Sequence, residues 1–418
     1  MKAFLYFTLS VLLARSVAAA GIPERPLTLD AAVAAALIAA PQLQAQRATI
    51  EGAQATAMAA GRLPDPQLLG GVDNLPTNGV DAWSVERDFM TMRRIGLMQS
   101  FPNRPKRSAE RNSAQAMVSL AQAQALQSQL EVTQSVAQAW IARYTAELSL
   151  QTLHALRPAR TLQVELAQAA LASGGTSVSD SLSAQAAVAD LDDRILDAQR
   201  ELSNARTELA RWIGADAERP LAAAPSFSAL AAGDTELLSA LHQHVALLTY
   251  DAQIAAARSE VVVANAAKQP DWSAQLDYAK RGREFSDMVS LEFTVSLPMF
   301  PGTRQDPAIR AKHAAVVALE AEREMTLRMH STEITAALNE WHSAKDRVAL
   351  YETTRIPLAR QRSELALVGL RAGRMDSRQT LAVLGDELDI ATAYAELRKT
   401  LGKTWAYLRY LPSQGVAP

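Results

Sequence analysis

Cysteine is absent from the 418-residue chain, and aromatic residues make up only 5% of it. The fold therefore cannot rely on disulfides, no cysteine nucleophile is available, and no lipid can be attached through an N-terminal cysteine. Hydrophobic residues nevertheless reach 49% of the composition, and alanine supplies much of that share. Such a composition favours long, thin helices that pack closely through small side chains over a bulky globular core.

An excess of charge of one sign is also lacking, because 42 lysines and arginines are matched by 44 aspartates and glutamates. This balance gives no electrostatic reason to expect a nucleic-acid partner. Catalytic motifs are missing as well: no two of the six histidines stand at i, i+4, and there is no Gly-rich phosphate loop and no G-x-S-x-G elbow. We therefore expect neither enzyme activity nor a bound cofactor or metal centre.

Long hydrophobic runs are confined to the N-terminus. Lys2, the apolar run at residues 3–14 and the alanines at 18–20 form the three parts of a secretory signal peptide. We predict export with cleavage after Ala20; the alternative is a membrane anchor, but the run is shorter than the roughly 20 residues that a spanning helix needs. If the mature chain lies in a membrane, it must do so as a barrel or by surface contact.

One stretch of the chain occurs twice. The segment LALVGLRAGRMDSRQTL, at 365–381, has a weaker copy, AQAALASGGTSVSDSL, at 167–182. The two copies align Gly373 with Gly174 at a spacing of 199 residues. In each copy a helical run meets a Gly-centred break and then resumes, which predicts the tip of an αα-hairpin.

The repeat divides the chain into two halves of one design. At the same spacing Pro357 aligns with Pro158, and we predict that each proline interrupts a long helix before its tip. The expected segments are a signal peptide at 1–20, a first unit at 21–218, a linker at 219–233, a second unit at 234–418, and hairpin tips at about 173–181 and 372–380.

Each half also contains a long helix and two short strands. From Lys106 to Arg157, 52 residues pass without glycine or proline, and 49 residues do so from Ala308 to Ile356. After the first tip, the apolar residues from Val188 to Trp212 recur with the seven-residue spacing of a coiled coil. The strands are predicted at about 67–75, 92–101, 272–280 and 289–297. The predicted fold is mainly α with a small β part, built as a duplicated helix–strand–strand–helix–hairpin repeat.

The last predicted strand alternates strictly between apolar and polar residues. Its polar face carries Ser290, Glu292 and Thr294. Its apolar face carries Val289, Leu291, Phe293, Val295 and Leu297. Two interpretations fit this pattern: an antiparallel sheet that covers a soluble core, or a barrel strand with its apolar face in lipid, since about nine residues cross a bilayer when tilted.

Two further groups of residues can be interpreted either as functional or as purely structural. Met90, Met92 and Met98 are either soft-metal ligands or ordinary apolar filler at a strand edge. Acidic residues near the two tips, Asp180, Asp376 and Asp386 among them, are either a solvated helix face or, in a symmetric oligomer, rings of carboxylates.

The whole arrangement resembles the TolC family of outer-membrane efflux channels. The resemblance depends on the tip sequences SGGTSVSDSL (173–182) and AGRMDSRQTL (372–381) and on the strand-ending Pro102 and Pro298. It implies a homotrimer in the outer membrane of a Gram-negative bacterium, in which four strands per protomer close one twelve-stranded transmembrane barrel in contact with lipid. It also implies that the helices form a periplasmic coiled-coil barrel that meets an adaptor (membrane fusion) protein and an inner-membrane pump.

Within that family, Pro64-Asp65-Pro66, Asp73-Asn74-Leu75-Pro76 and Asp88-Phe89-Met90-Thr91 are similar to the CzcC-like heavy-metal branch. This resemblance implies a tripartite efflux system of the resistance-nodulation-division type that exports heavy-metal cations. The alternatives are a drug or protein export channel of the same family and a secreted periplasmic coiled-coil protein. Aspartates that many drug-exporting members place beyond the second tip are replaced here by Gln379 and Ala382.

The resemblance also implies roles for residues at the tips. Asp180 matches the aspartate of the first tip and is our first choice for a carboxylate ring at the periplasmic gate. The expected gate residues are Asp180, Asp376, Asp386, Arg374 and Arg378, the arginines bridging the acids in the closed state. The expected adaptor-docking residues are Gly174, Gly175, Gly373, Leu182 and Leu381.

Overall fold

The computed structural model describes residues 25–411. The predicted signal peptide, residues 1–20, lies outside the described residues. The first two helices of the described residues are α1 (Leu29–Ala39) and α2 (Pro41–Ala59). Thr28 caps α1, its Oγ1 accepting a hydrogen bond from the Ala31 N–H at 3.1 Å.

The rest of the first half has two strands and two long helices. They are β1 (Gln67–Asp73), β2 (Met92–Phe101), α3 (Arg104–Ala172) and α4 (Val178–Ile213). At 69 residues, α3 has a length of about 100 Å at 1.5 Å per residue. Asn103 caps it by accepting the Lys106 N–H at 2.7 Å and ties it to the sheet by donating to Asp271 at 2.9 Å.

The second half repeats this order. Its elements are α5 (Asp234–Ser239), α6 (Val245–Ala266), β3 (Trp272–Lys280), β4 (Met288–Val295), α7 (Gln305–Leu350), α8 (Ile356–Arg371) and α9 (Ser377–Arg409). Between α7 and α8 the chain makes one π-helical turn, Tyr351–Arg355.

The two prolines behave differently. The predicted interruption is confirmed at Pro357, which lies in the first turn of α8 directly after the π turn. At this position the missing N–H of proline costs little hydrogen bonding, because an N–H in the first turn of a helix has no partner within that helix. The prediction is wrong for Pro158, because α3 continues through it without a break. The lost hydrogen bond is offset by side chains on both sides of it that pack against neighbouring helices, including the buried Leu153 and Ala167.

The four strands form a single antiparallel sheet in the order β1-β2-β3-β4. Leu97 of β2 lies opposite Leu68 of β1 and Leu276 of β3, and Leu276 lies opposite Leu291 of β4. Strand β1 ends at Asp73, where Asn74 takes a positive φ of 55°. Strand β4 ends at Val295, so Leu297 lies beyond the ladder.

The main core lies at mid-length of the helices, where the two halves meet. Three buried or nearly buried tryptophans, one each from α3, α7 and α9, donate their indole N–H to main-chain carbonyls of other segments. Trp140 donates to Leu27 at 3.1 Å, Trp341 to Phe227 at 2.9 Å and Trp405 to Ala229 at 2.7 Å. The tryptophans thus fix the N-terminal segment and the segment between the halves to the helices.

We predict that Trp341→Phe destabilises the protein by about 1–3 kcal/mol, because it leaves the buried Phe227 carbonyl without its donor and shortens a side chain in the core. The matched control is Trp212→Phe, since Trp212 is only half-buried and bonds to Glu208 on its own helix. Thermal unfolding followed by circular dichroism measures both. Equal losses for the two variants would contradict the role assigned to the Trp341 hydrogen bond.

Candidate functional site

The sheet has one apolar and one polar face. The apolar face carries, from β1 to β4, Leu68, Val72, Ile95, Leu97, Phe101, Trp272, Leu276, Tyr278, Val289, Leu291, Phe293 and Val295. Most of these side chains are exposed, Val289 at 70% and Phe293 at 62%. Leu297, at 66% exposure, lies just beyond β4. In the single chain no described helix covers this face, which is unusual for so large an apolar surface.

The aromatic pair Phe101 and Trp272 marks the end of this face nearest the helices. Their rings stack with centroids 4.1 Å apart and planes 14° apart. At the opposite end of the same face the register aligns Arg93 with Lys280. The apolar surface is therefore bounded by aromatic rings at one end and by basic side chains at the other.

The two hairpin tips have the same backbone geometry. Gly174 and Gly373 follow α3 and α8 with φ angles of +75° and +65°. In the first tip the Gly175 N–H donates to the Ala170 carbonyl at 2.8 Å, and in the second the Arg374 N–H donates to the Gly369 carbonyl at 2.8 Å. Both tips are Schellman caps, in which glycine takes the left-handed position at no steric cost.

The helices that leave the tips are capped at equivalent positions. Ser177 Oγ accepts the Asp180 N–H at 3.1 Å, and Asp376 Oδ1 accepts the Gln379 N–H at 2.7 Å. Asp376 therefore has a local role at the start of α9.

Asp180 connects the first tip to the second. Its Oδ1 lies 3.1 Å from Arg378 Nη2, and its Oδ2 accepts the Ser177 hydroxyl at 2.7 Å. The Ser177 hydroxyl, and then Arg378, hold the pKa of Asp180 below its usual range. Two residues separated by almost half of the chain thus form one ion pair.

The other predicted gate residues lie apart from this pair. Asp386 pairs with Arg362 of α8 at 3.1 Å. Arg374 is exposed at the second tip, and no ion pair of its side chain occurs within residues 25–411. Of the predicted docking residues, Gly174, Gly175 and Gly373 are exposed, Leu182 is 56% exposed and Leu381 is half-buried.

A buried polar group next to the tips was not anticipated from the sequence. Gln163 of α3 is fully buried and its amide donates to the Ser377 carbonyl of α9 at 3.5 Å. Arg160, one turn earlier, is 5% exposed, and burial lowers its pKa. The sequence could have indicated this group only through polar residues at helix positions that face a partner helix. Which of those polar residues are buried is decided by the packing of α3 against α9.

The three methionines do not form one site. Met92 and Met98 lie on the same face of β2, six residues apart, which corresponds to about 20 Å at the rise of a strand. Met90 precedes the strand and is 48% exposed. No single ion can be bound by Met92 and Met98 together.

Histidine, aspartate and glutamate side chains in the described chain nowhere gather in threes around a point suited to a metal ion. Among residues 25–411, no helix combines the length and the hydropathy that crossing a membrane requires.

Residues 32–215 match the family model described as outer membrane efflux protein. This region contains α1 to α4 and the first two strands, with the exception of the first three residues of α1. None of the curated protein sequences compared with the chain matches it.

Solved structures of outer-membrane proteins resemble 92% of the chain. The outer membrane protein VceC from Vibrio cholerae is 19% identical, with a TM-score of 0.75 over 92% of this chain and 96% of that one. The outer-membrane channel OprN is 19% identical, with a TM-score of 0.77 over 92% and 90%. The CmeC channel from Campylobacter jejuni is 14% identical, with a TM-score of 0.73 over 92% and 85%. The chain therefore has the fold of outer-membrane channel proteins.

We predict that Arg378→Ser loosens the contact between the tips, because it removes the partner of Asp180. The matched control is Arg374→Ser, which removes an exposed arginine that has no ion pair in the described chain. Because the protein has no cysteine, spin labels can be placed on cysteines introduced at the exposed Val178 and Ala382. The distance distribution should broaden in Arg378→Ser alone. Equal distributions in both variants would show that the pair does not hold the tips.

The strength of the Asp180–Arg378 ion pair should depend on pH only under acidic conditions. A carboxylate whose folded pKa is depressed contributes stability above its unfolded pKa of about 3.9 and loses it as the pH falls through the folded value. The contribution of Asp180 is thus complete at neutral pH. We expect the spin-label distance in the unsubstituted tips to stay constant down to about pH 4 and to broaden below it. Broadening near pH 6 would implicate another group.

Proposed function

We propose that the protein is the outer-membrane channel of a tripartite efflux system. The observation that carries this proposal is the four-stranded sheet, which exposes an apolar face and whose outer strands β1 and β4 each have an unpaired edge within the described chain. Unpaired strand edges are not tolerated in lipid, so closure needs further copies of the sheet. Three copies give twelve strands, a barrel wide enough to enclose a lumen.

The orientation of the chain follows from this assignment. The apolar face contacts lipid through Val289, Leu291, Phe293 and Val295, and Leu297 lies at the membrane boundary. The polar face lines the lumen, and the long helices continue the lumen into the periplasm. The strand that returns from the membrane is followed by a long helix in each half: two residues separate β2 from α3, and nine residues separate β4 from α7.

The tips are proposed as the periplasmic end. In a trimer, every inward-facing side chain is repeated around the axis. The Asp180–Arg378 pair is proposed to hold the two hairpins of one protomer together in a closed gate. The Asp386–Arg362 pair joins α9 to α8 within the second hairpin. The exposed Leu182, with the glycine turns beside it, is proposed as part of the surface that docks the adaptor protein. An inner-membrane pump is the third component.

Heavy-metal cations are proposed as the solute, on the resemblance of the segments between residues 64 and 91 to the heavy-metal branch. Drug export by the same kind of channel is the alternative. Growth of a deletion strain on a panel of metal salts and a panel of hydrophobic drugs distinguishes them. Sensitivity to drugs alone would overturn the metal assignment and leave the channel assignment intact.

We predict that Phe293→Arg costs about 2–4 kcal/mol when the barrel folds in a bilayer, because it places a charge near the midplane of the lipid. Thr294→Arg, one residue further on the polar face, should cost much less because its side chain contacts water. Urea titrations of folding into phosphatidylcholine vesicles measure both variants. Equal costs on the two faces would contradict the lipid-facing assignment.

The assembly itself is tested in cell fractions. We expect the protein in the outer-membrane fraction as a trimer that migrates as a compact band without heating and as a monomer after boiling. Purified trimers should also produce conductance steps in planar bilayers. A soluble monomer in the periplasmic fraction would favour a secreted coiled-coil protein and contradict the channel.

A further inference from the structure

The polar face of the sheet carries a charged network that crosses three strands. Arg94 of β2 lies between two carboxylates: its Nε is 3.0 Å from Asp73 Oδ2 on β1, and its Nη1 is 3.5 Å from Asp277 Oδ1 on β3. The Gln275 side-chain amide donates to Asp277 Oδ2 at 2.8 Å. Asp277 Oδ2 thus accepts a hydrogen bond, whereas Oδ1 accepts none and has only the ion-pair contact with Arg94.

Asp277 is unusual for a residue on an open face. Its side chain is only 4% exposed, while the side chains of Arg94 and Asp73 are about one third exposed. A carboxylate removed from water is costly unless a cation and hydrogen-bond donors compensate it. The side chain is therefore held against the sheet by its partners.

Gly96 provides the space for this arrangement. It lies opposite Asp277 in the register, and a β-carbon at position 96 would collide with Asp277 Oδ1. On the other side of Arg94, the register places Gly71 of β1. A β-carbon at position 71 would meet no atom within 4 Å, so the close approach of the charged side chains to the sheet depends on Gly96.

We infer that Asp277 is a positioning residue that holds the Arg94 guanidinium against the wall of the channel, so that the lumen at this level stays open and carries a net negative charge. The inference rests on the proposed function, which directs the polar face into the lumen. On that face the four strands carry the carboxylates of Asp73, Asp277 and Glu292 and one guanidinium. Without Asp277, Arg94 keeps one anionic partner, Asp73 on the edge strand β1. We expect its guanidinium then to extend into the lumen, narrow it and repel cations.

The test uses a single introduced cysteine as a local probe, since the chain has none of its own. Ser290→Cys places a thiol on β4 opposite Asp277, on the same face. Its reaction rates with a cationic and an anionic methanethiosulfonate report the local potential, and its rate with a maleimide–polyethylene glycol reports the free space. The trimer is reconstituted in phosphatidylcholine vesicles, and all reagents are added outside.

In the Ser290→Cys background, Asp277→Asn should lower the cation-to-anion rate ratio about threefold and slow the polymer reaction. Arg94→Gln should raise the ratio and leave the polymer rate unchanged or faster. The double variant Asp277→Asn/Arg94→Gln should return both rates close to those of the background protein. Thr294→Ala, on the same face and outside the network, is the control and should change neither.

Gly96→Ala tests the geometry without altering a charge. Its methyl group should displace Asp277 and free Arg94, so the polymer reaction should slow as it does in Asp277→Asn. If either Gly96→Ala or Asp277→Asn fails to give the folded trimer band, the remaining variant decides the test, because each frees Arg94 from Asp277 independently.

An unchanged polymer rate in both Asp277→Asn and Gly96→Ala would overturn the inference, as would a double variant that stays as slow as Asp277→Asn. Failure of the proposed function gives a different result. If the charged reagents modify Phe293→Cys on the apolar face as readily as Ser290→Cys, the faces are not divided between lipid and lumen, and the channel assignment fails together with the inference.

Discussion

A strand at the edge of a sheet leaves a row of backbone N–H and C=O groups without partners, and this constraint governs the proposed assembly. The sheet has two such edges, on β1 and β4, next to an apolar face that no described helix covers. Water could form hydrogen bonds with the strand edges but would leave the apolar face exposed to a polar solvent. Lipid could cover the apolar face but would leave the backbone groups of the edges without partners. In the proposed trimer both are satisfied, because each β1 pairs with a β4 of the next copy and the apolar face becomes the outside of a barrel.

The long helices depend on a different constraint, the need to pack along other helices. A helix of 69 residues cannot bury itself, so its stability depends on the helices packed along it. The buried tryptophans of the central core concentrate this packing at mid-length, where both halves and the segment between them meet. Towards the tips the core thins to a small cluster around Leu153 and Leu191, and polar contacts such as Asp180–Arg378 become more prominent. This gradient places the most easily separated part of the helices at the proposed gate.

Much of this architecture was predictable because it depends on local chemistry. The Gly-centred tips followed from the need for a residue with positive φ, and the strands from the alternation of apolar and polar residues. Two features of the observed helices have equally local causes: the Thr28 hydroxyl caps α1, and α1 ends at Ala39, two residues before Pro41. The prediction of a break at Pro158 was wrong because the packing of the neighbouring turns decides whether a helix continues past one missing hydrogen bond. The three methionines illustrate the opposite case: they are close in sequence, but an extended strand separates two of them.

The sequence by itself determined the duplication, which is visible as a repeated segment. It also determined the hairpin tips and the two-faced character of the strands, since these depend on residues within a few positions of one another. Only the tertiary structure decided which distant residues meet. Asp180 pairs with Arg378 and not with Arg374, Asp386 pairs with Arg362, and Asp277 lies over Gly96 beside Arg94. These choices depend on the register between strands and on the rotation of one helix against another. A local pattern does not contain either quantity, because both are set by the packing of segments far apart in the chain.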